Sequence, residues 1–106
     1  MGMNGMNMGK IMKQAQEMQK KMAAQQSEIE NSEFTGVSPE ELVTVTFGGN
    51  RRMKDMQIKA EAIDPDDPDM LSDLVLSAVN DALAKIDDTT QSKMGQFTQG
   101  MNIPGL

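Results

Sequence analysis

Apolar residues recur along the chain with two periods, and the change from one to the other marks out the elements. Met8, Ile11, Ala15, Met18, Met22 and Ile29 follow at steps of three and four, the spacing of one helix face, with only Gln25 interrupting the seam. No Pro or Gly lies between Lys10 and Thr35, so the pattern predicts a long amphipathic helix over residues 8–31. From Leu42 the period becomes two. Leu42-Val43-Thr44-Val45-Thr46-Phe47 alternates with β-branched residues, Gly48-Gly49-Asn50 supplies a tight turn, and Met56, Ile58, Ala60 and Ala62 alternate again, which predicts a hairpin. Phe34-Thr35-Gly36-Val37, cut off by Ser38-Pro39, reads as a short strand before it, giving a three-stranded antiparallel meander.

The helical period returns after Asp64-Pro65-Asp66-Asp67-Pro68-Asp69. Asp67 is placed to cap a helix, Pro68 suits its first position and Asp69 lies near the positive end of its dipole. Leu71, Leu74, Val75, Ala78, Val79, Ala82, Leu83 and Ile86 then form a wide apolar stripe made to lie on the sheet, with the helix continuing toward Met94 before Gly95. The expected organisation is a loose tail at 1–7, one domain over 8–95 and a flexible tail at 96–106. The fold class is α+β: helix, three strands, helix. A helix over residues 8–31 is ~36 Å long whereas a six-residue strand reaches ~20 Å, so the first helix must overhang its sheet. A second copy is the simplest cover for an apolar overhang, which predicts a homodimer with projecting helical arms. The residues expected to serve as core or dimer seam are Ile11, Met18, Met22, Ile29, Val43, Val45, Phe47, Met56 and Ile58.

Composition removes most chemistry. The 106 residues include no Cys and no His, which excludes a thiolate metal site, a cysteine nucleophile, an imidazole base and a Ser-His-Asp triad. The acidic linker does not fit a calcium loop, since Pro68 stands at a ligand position, Asp69 where glycine is required and Val75 where the closing glutamate belongs. We therefore expect no enzyme, no metal, no cofactor and no small-molecule substrate. Nor is there an apolar run long enough to span a membrane, or the charged-then-apolar order of a signal peptide, and Met6 stands where a myristoylation site needs Ser or Thr. The expected location is the cytoplasm.

The net charge of −6 gives no overall attraction to a polyanion, but the charge is uneven. Residues 1–27 carry Lys10, Lys13, Lys20 and Lys21 against Glu17 alone, a local +3 that leaves −9 on the rest. At ~100° per residue the four lysines fall in one arc of roughly 100°, facing away from the Ile11/Met18/Met22 seam. Such an arc is either a solvated face, with Glu17 paired to Lys13 and Lys21, or a set of phosphate contacts. Arg51 and Arg52 at the hairpin turn, and Lys93, are the further candidates. With only three Phe as aromatics and no RNA-reading sheet motif, a base-stacking platform has little material. From Asp64 to Asp88, eight Asp face Lys85 alone, and Asp73, Asn80 and Asp87 form a polar stripe suited to solvent or to a basic partner.

In combination, several segments resemble the YbaB/EbfC family of bacterial nucleoid-associated proteins over nearly the whole chain. They are Met12-Lys13-Gln14-Ala15-Gln16-Glu17-Met18-Gln19, Gly36, Leu42-Val43-Thr44-Val45-Thr46-Phe47-Gly48-Gly49 and Ile63-Asp64-Pro65. Leu71-Ser72-Asp73-Leu74-Val75, Ala78-Val79-Asn80-Asp81-Ala82, Lys93-Met94 and Ile103-Pro104-Gly105 complete the set. The resemblance implies a homodimer joined through the sheet region, with helices projecting like the arms of tweezers. It also implies binding of double-stranded DNA with modest sequence preference, for chromosome organisation or transcriptional regulation, by Lys10, Lys13, Lys20 and Lys21, with Lys93 at the far end of the second helix. The competing reading is an adaptor that holds another protein on its Met-rich arms or its acidic helix. Salt separates the two, because phosphate contacts weaken steeply as salt rises and an apolar groove does not.

Overall fold

The computed structural model describes the backbone of residues 2–99, and side chains over 8–97. Helix α1 (Gly2–Asn31) leads into β1 (Glu33–Val37), a 3-10 turn at Pro39–Glu41, β2 (Val43–Gly48), β3 (Met53–Ile58), a second 3-10 turn at Ala60–Ala62 and helix α2 (Pro68–Gln99). The strands form one antiparallel sheet in the order β1-β2-β3, with Gly36 opposite Val45 and Val45 opposite Met56. The α+β arrangement read from periodicity is the one observed.

Helix α2 builds the core. Asp67 Oδ1 accepts the Met70 N–H at 3.2 Å, so the cap stands where the Asp-Pro-Asp pattern put it. Ala78, Ala82 and Ile86 are buried against Val43, Val45 and Phe47 of β2, with Leu71, Leu74, Val75, Val79 and Leu83 half-buried around them. Small residues on the central line of the stripe let the helix settle close to the sheet, and Gly36 of β1 completes the contact. A Cβ built on Gly36 would meet the Ala78 carbonyl oxygen and lie 2.5 Å from the Ala82 nitrogen, closer than any side chain can stand. Gly49 answers a similar need at the hairpin, where a Cβ would meet the Ile29 carbonyl oxygen at the root of α1.

A hydrogen bond on the other flank fixes the register of helix on sheet. Asp81 accepts the Val37 N–H at the end of β1 at 2.9 Å, with Lys85 3.4 Å from the same carboxylate. The Val37 N–H is the main cause that holds the Asp81 carboxyl below its ordinary value; burial opposes it, and the Lys85 charge adds a lesser push downward. A lowered folded pKa stabilises the fold above the unfolded value near 4 and ceases to do so as the pH falls through the lowered one. Asp81→Ala is expected to cost about 1 kcal/mol at neutral pH, held to that by the half-exposed site. Thermal melts at fixed protein concentration should show the gap from the parent closing below about pH 4.

Three local expectations are corrected. The alternation through Ala60 and Ala62 does not continue as strand: pairing ends at Val43–Ile58, because β2 emerges there from the Ser38–Leu42 turn, and the chain curls so that Ala62 enters the core. Helix α2 does not stop before Gly95 but runs to Gln99, bringing Phe97 into a buried position beside α1, while residues 100–106 of the expected tail lie outside the described residues. Helix α1 starts at Gly2, ahead of the expected Met8. The overhang is large: the molecule measures 79 × 27 × 16 Å, and α1 is exposed on every side from Met8 to Ala24.

The core therefore takes only part of the expected seam. Ile29, Val43, Val45 and Phe47 are buried and Met56 is half-buried, but Ile11 is 62 % exposed and Met18, Met22 and Ile58 are exposed as well. Beyond Ile29 there is no sheet beneath α1, and the end of α2 comes alongside it between Gln14 and Glu28 without closing over the seam, so Met18 lines an open groove and stays exposed with Met22.

Candidate nucleic-acid interface

All four lysines of the arm, Lys10, Lys13, Lys20 and Lys21, are exposed, although the end of α2 comes alongside α1 at the level of Gln14 to Glu28. No ion pair among the described residues involves any of them. Glu17, expected to neutralise Lys13 and Lys21 from one turn away, is not within ion-pair distance of either. Two long exposed side chains gain little from meeting in water and lose rotamer freedom in doing so.

The other cations are mostly engaged. Arg51 pairs with Asp87 across the hairpin turn, Lys54 with Glu33 at 3.2 Å, Lys85 with Asp81 and Lys93 with Glu28 at 3.4 Å. Lys85 also donates to the Thr35 carbonyl at 2.7 Å. Only Arg52 and Lys59 outside the arm are exposed without an ion pair among the described residues. Of the three further candidates, the structure thus leaves Arg52 available and commits Arg51 and Lys93 to carboxylates on α2 and α1. Lys93 thus bridges α2 to Glu28 of α1 at the root of the arm. Asp87 of the polar stripe is the anchor of Arg51, a role its spacing gave no means of finding.

The carboxylates gather at the opposite pole. Glu40, Glu41, Glu61, Asp64, Asp66, Asp67, Asp69 and Asp73 are all exposed on the two 3-10 turns, the linker and the start of α2. This is the end of the molecule away from the lysines, since α2 starts beside Pro39 and ends beside Met18–Glu28 of α1. With charges screened over ~8 Å at physiological salt, that pole acts on a polyanion at the arm far more weakly than the lysines do. The acidic side chains of the linker serve local turns, with Asp64 Oδ1 accepting the Asp66 N–H at 2.9 Å. Among the described residues no group of three or more acidic side chains is gathered to hold a metal ion. No helix of the described residues is long and apolar enough to cross a membrane.

Comparison with known proteins agrees with this geometry. A nucleoid-associated protein of Ligilactobacillus salivarius is 53 % identical over 106 residues, covering all of both chains. One of Lactobacillus acidophilus is 50 % identical over 101 residues, 95 % of this chain and 91 % of that one. The crystal structure of an uncharacterized Helicobacter pylori protein superposes with a TM-score of 0.68 at 19 % identity, over 81 % of this chain and 90 % of that one, and so shares the fold. A family profile matches from residue 3 to residue 101, and with relatives half identical over nearly their full length the chain belongs to the YbaB/EbfC DNA-binding family.

Proposed function

We propose that the protein works in the nucleoid as a homodimer that grips double-stranded DNA between two α1 arms, through Lys10, Lys13, Lys20 and Lys21 of each chain, with Arg52 as an auxiliary contact. The observation that carries the reading is the contrast between the arm and the rest. None of the four arm lysines is ion-paired among the described residues, whereas four of the six remaining cations are. Unpaired cations on an exposed helix release the counterions of a phosphate backbone without first breaking an internal pair. Such contacts read charge and shape more than sequence, which agrees with a role in organising the chromosome.

The dimer surface we propose is the side of the core that α2 leaves open. The helix lies over β1 and β2, so Met53 and Ile58 of β3 stay exposed on the same sheet face as Phe47 and Val43, and on α2 Leu76 is 63 % exposed. Asp81 turns toward β1, and at ~100° per residue Val79 and Leu83 lie on the opposite flank of α2 next to Leu76, so that flank of the helix and the exposed face of β3 are the two apolar surfaces a partner would cover. A patch of this kind marks a partner surface, and closing it with a second copy leaves both arms projecting. Sedimentation equilibrium at micromolar concentration should give twice 11.6 kDa for the parent chain and a monomer for Ile58→Asp/Leu76→Asp. A parent monomer, or an unaltered dimer in the variant, contradicts this surface.

A further inference from the structure

The apolar seam of α1 has a stricter period than a face that merely lies on a sheet. Its steps of three and four alternate without exception from Met8 to Ile29, with Gln25 as the single polar member. This is the seven-residue repeat by which one helix coils against another. Among the described residues no helix takes it up. Ile29 is buried in the core, and the end of α2 comes alongside on the flank of Gln14, Lys21 and Glu28, while Met8, Ile11, Ala15, Met18 and Met22 stay exposed. We propose that the free stretch Met8–Met22 pairs antiparallel with the same stretch of α1 in a second dimer, joining neighbouring dimers on DNA.

Charge selects this occupant. At ~100° per residue, Lys10, Lys13 and Lys20 lie about 120–180° round the helix from the middle of the seam, and Lys21 about 100°. The seam side therefore presents no cation to a phosphate backbone or to the headgroups of an anionic bilayer. It presents no carboxylate to a basic partner either, since Glu17 is about 140° away. What the face fits is itself. A copy laid antiparallel sets Ile11 against the other's Met22 and Ala15 against its Met18, and it brings Lys21 beside Gln14, so that no like charges meet. Direction follows from the core. Ile29 stands on the same stripe and is buried among Gly49 and Ile86, so the core lies over the seam at the root, and two chains side by side in parallel would put both cores in one space. Two free repeats built of methionine, isoleucine and alanine hold weakly, which leaves the dimer as the species at micromolar concentration and lets the seam act where dimers crowd on one DNA. The inference rests on the proposed function only for which copies meet: with the lysines turned to the DNA, the seams of a dimer face outward.

Disulfide trapping tests it, since the chain has no Cys of its own. Ile11→Cys and Met22→Cys proteins are mixed and oxidised at about 1 M salt, which suppresses contacts between a basic arm and an acidic pole. They should form linked chains, whereas Lys13→Cys mixed with Lys20→Cys, spaced to meet in the same way but on the opposite face, should not. Under sedimentation the linked species should reach at least four times 11.6 kDa. Ala15→Asp in both proteins should lower the linked fraction about tenfold, by burying an unpaired charge, with the melting temperature unaltered. In the Ile58→Asp/Leu76→Asp background the link should persist at twice 11.6 kDa, so loss of the proposed dimer and loss of the seam are read separately. Equal trapping on the two faces, or trapping by Ile11→Cys alone, would overturn the proposal. So would no trapping at all, whether the seam stays free or the protein floats instead with phosphatidylglycerol vesicles.

Discussion

Gly36→Val is expected to be the most destabilising single substitution in the protein, lowering its resistance to denaturant sharply. The β1 backbone touches α2 through Gly36, and a Cβ there would stand 2.7 Å from the Ala82 Cβ in addition to meeting backbone atoms of Ala78 and Ala82. None of these atoms belongs to a flexible side chain, so the clash is relieved only by lifting α2 off the strand. Doing so opens the contacts of Ala78, Ala82 and Ile86 with β2 and pulls the Asp81 carboxylate from the Val37 N–H. The cost is about 4 kcal/mol, a large share of the ~5–15 kcal/mol that holds a domain of this size together. Urea denaturation followed by circular dichroism should show the midpoint falling sharply. Gly9→Ala provides the contrast, since nothing lies within 4 Å of the added methyl. Replacing a helix-interior glycine with alanine there should leave the midpoint unchanged or slightly raised.

Charge reversal on the arm is the second large effect. In a dimer, Lys13→Glu/Lys20→Glu removes four cations and adds four anions to the surface proposed to face DNA. Each phosphate contact is worth about a fivefold gain in affinity at 0.15 M salt, so loss of four lowers affinity on the order of 10²–10³-fold before repulsion is counted. Electrophoretic mobility shift with a duplex of random sequence should detect no complex at concentrations that saturate the parent. The fold should be indifferent, because both side chains are exposed and make no ion pair among the described residues.

How much was legible in the sequence depended on whether the determining contacts were local. The cap at Asp67 and the Ala78/Ala82/Ile86 line were readable, because spacing within one helix fixes both. The Ile11/Met18/Met22 seam shows the limit of that argument. Periodicity establishes that a helix has an apolar face, but what covers the face is set by where the sheet ends and at what angle α2 arrives. Ile29 is covered and Met18 is not, although both stand on the same stripe. Gly95 misled for a related reason: a glycine marks a stop when the helix beyond it has nothing to pack on, and here Phe97 finds α1. The status of the cations was least accessible. Arg51 meets Asp87 across 36 positions and Lys93 meets Glu28 across 65, while the nearby Glu17 and Lys21 do not pair. The arm stood out from the other basic residues only once those distant partners were in place.

The salt dependence of DNA affinity is the measurement that bears most directly on the central claim, that an acidic protein holds DNA by the lysine face of α1. With four to six of the eight arm lysines of a dimer on phosphates, log affinity should fall against log salt with a slope of about −4 to −5 for the parent. Lys13→Ala/Lys20→Ala should flatten it to about −2 and leave the melting temperature nearly unaltered. An unchanged slope and affinity in that variant would contradict the account and move the contact surface to Arg52 and the hairpin turn.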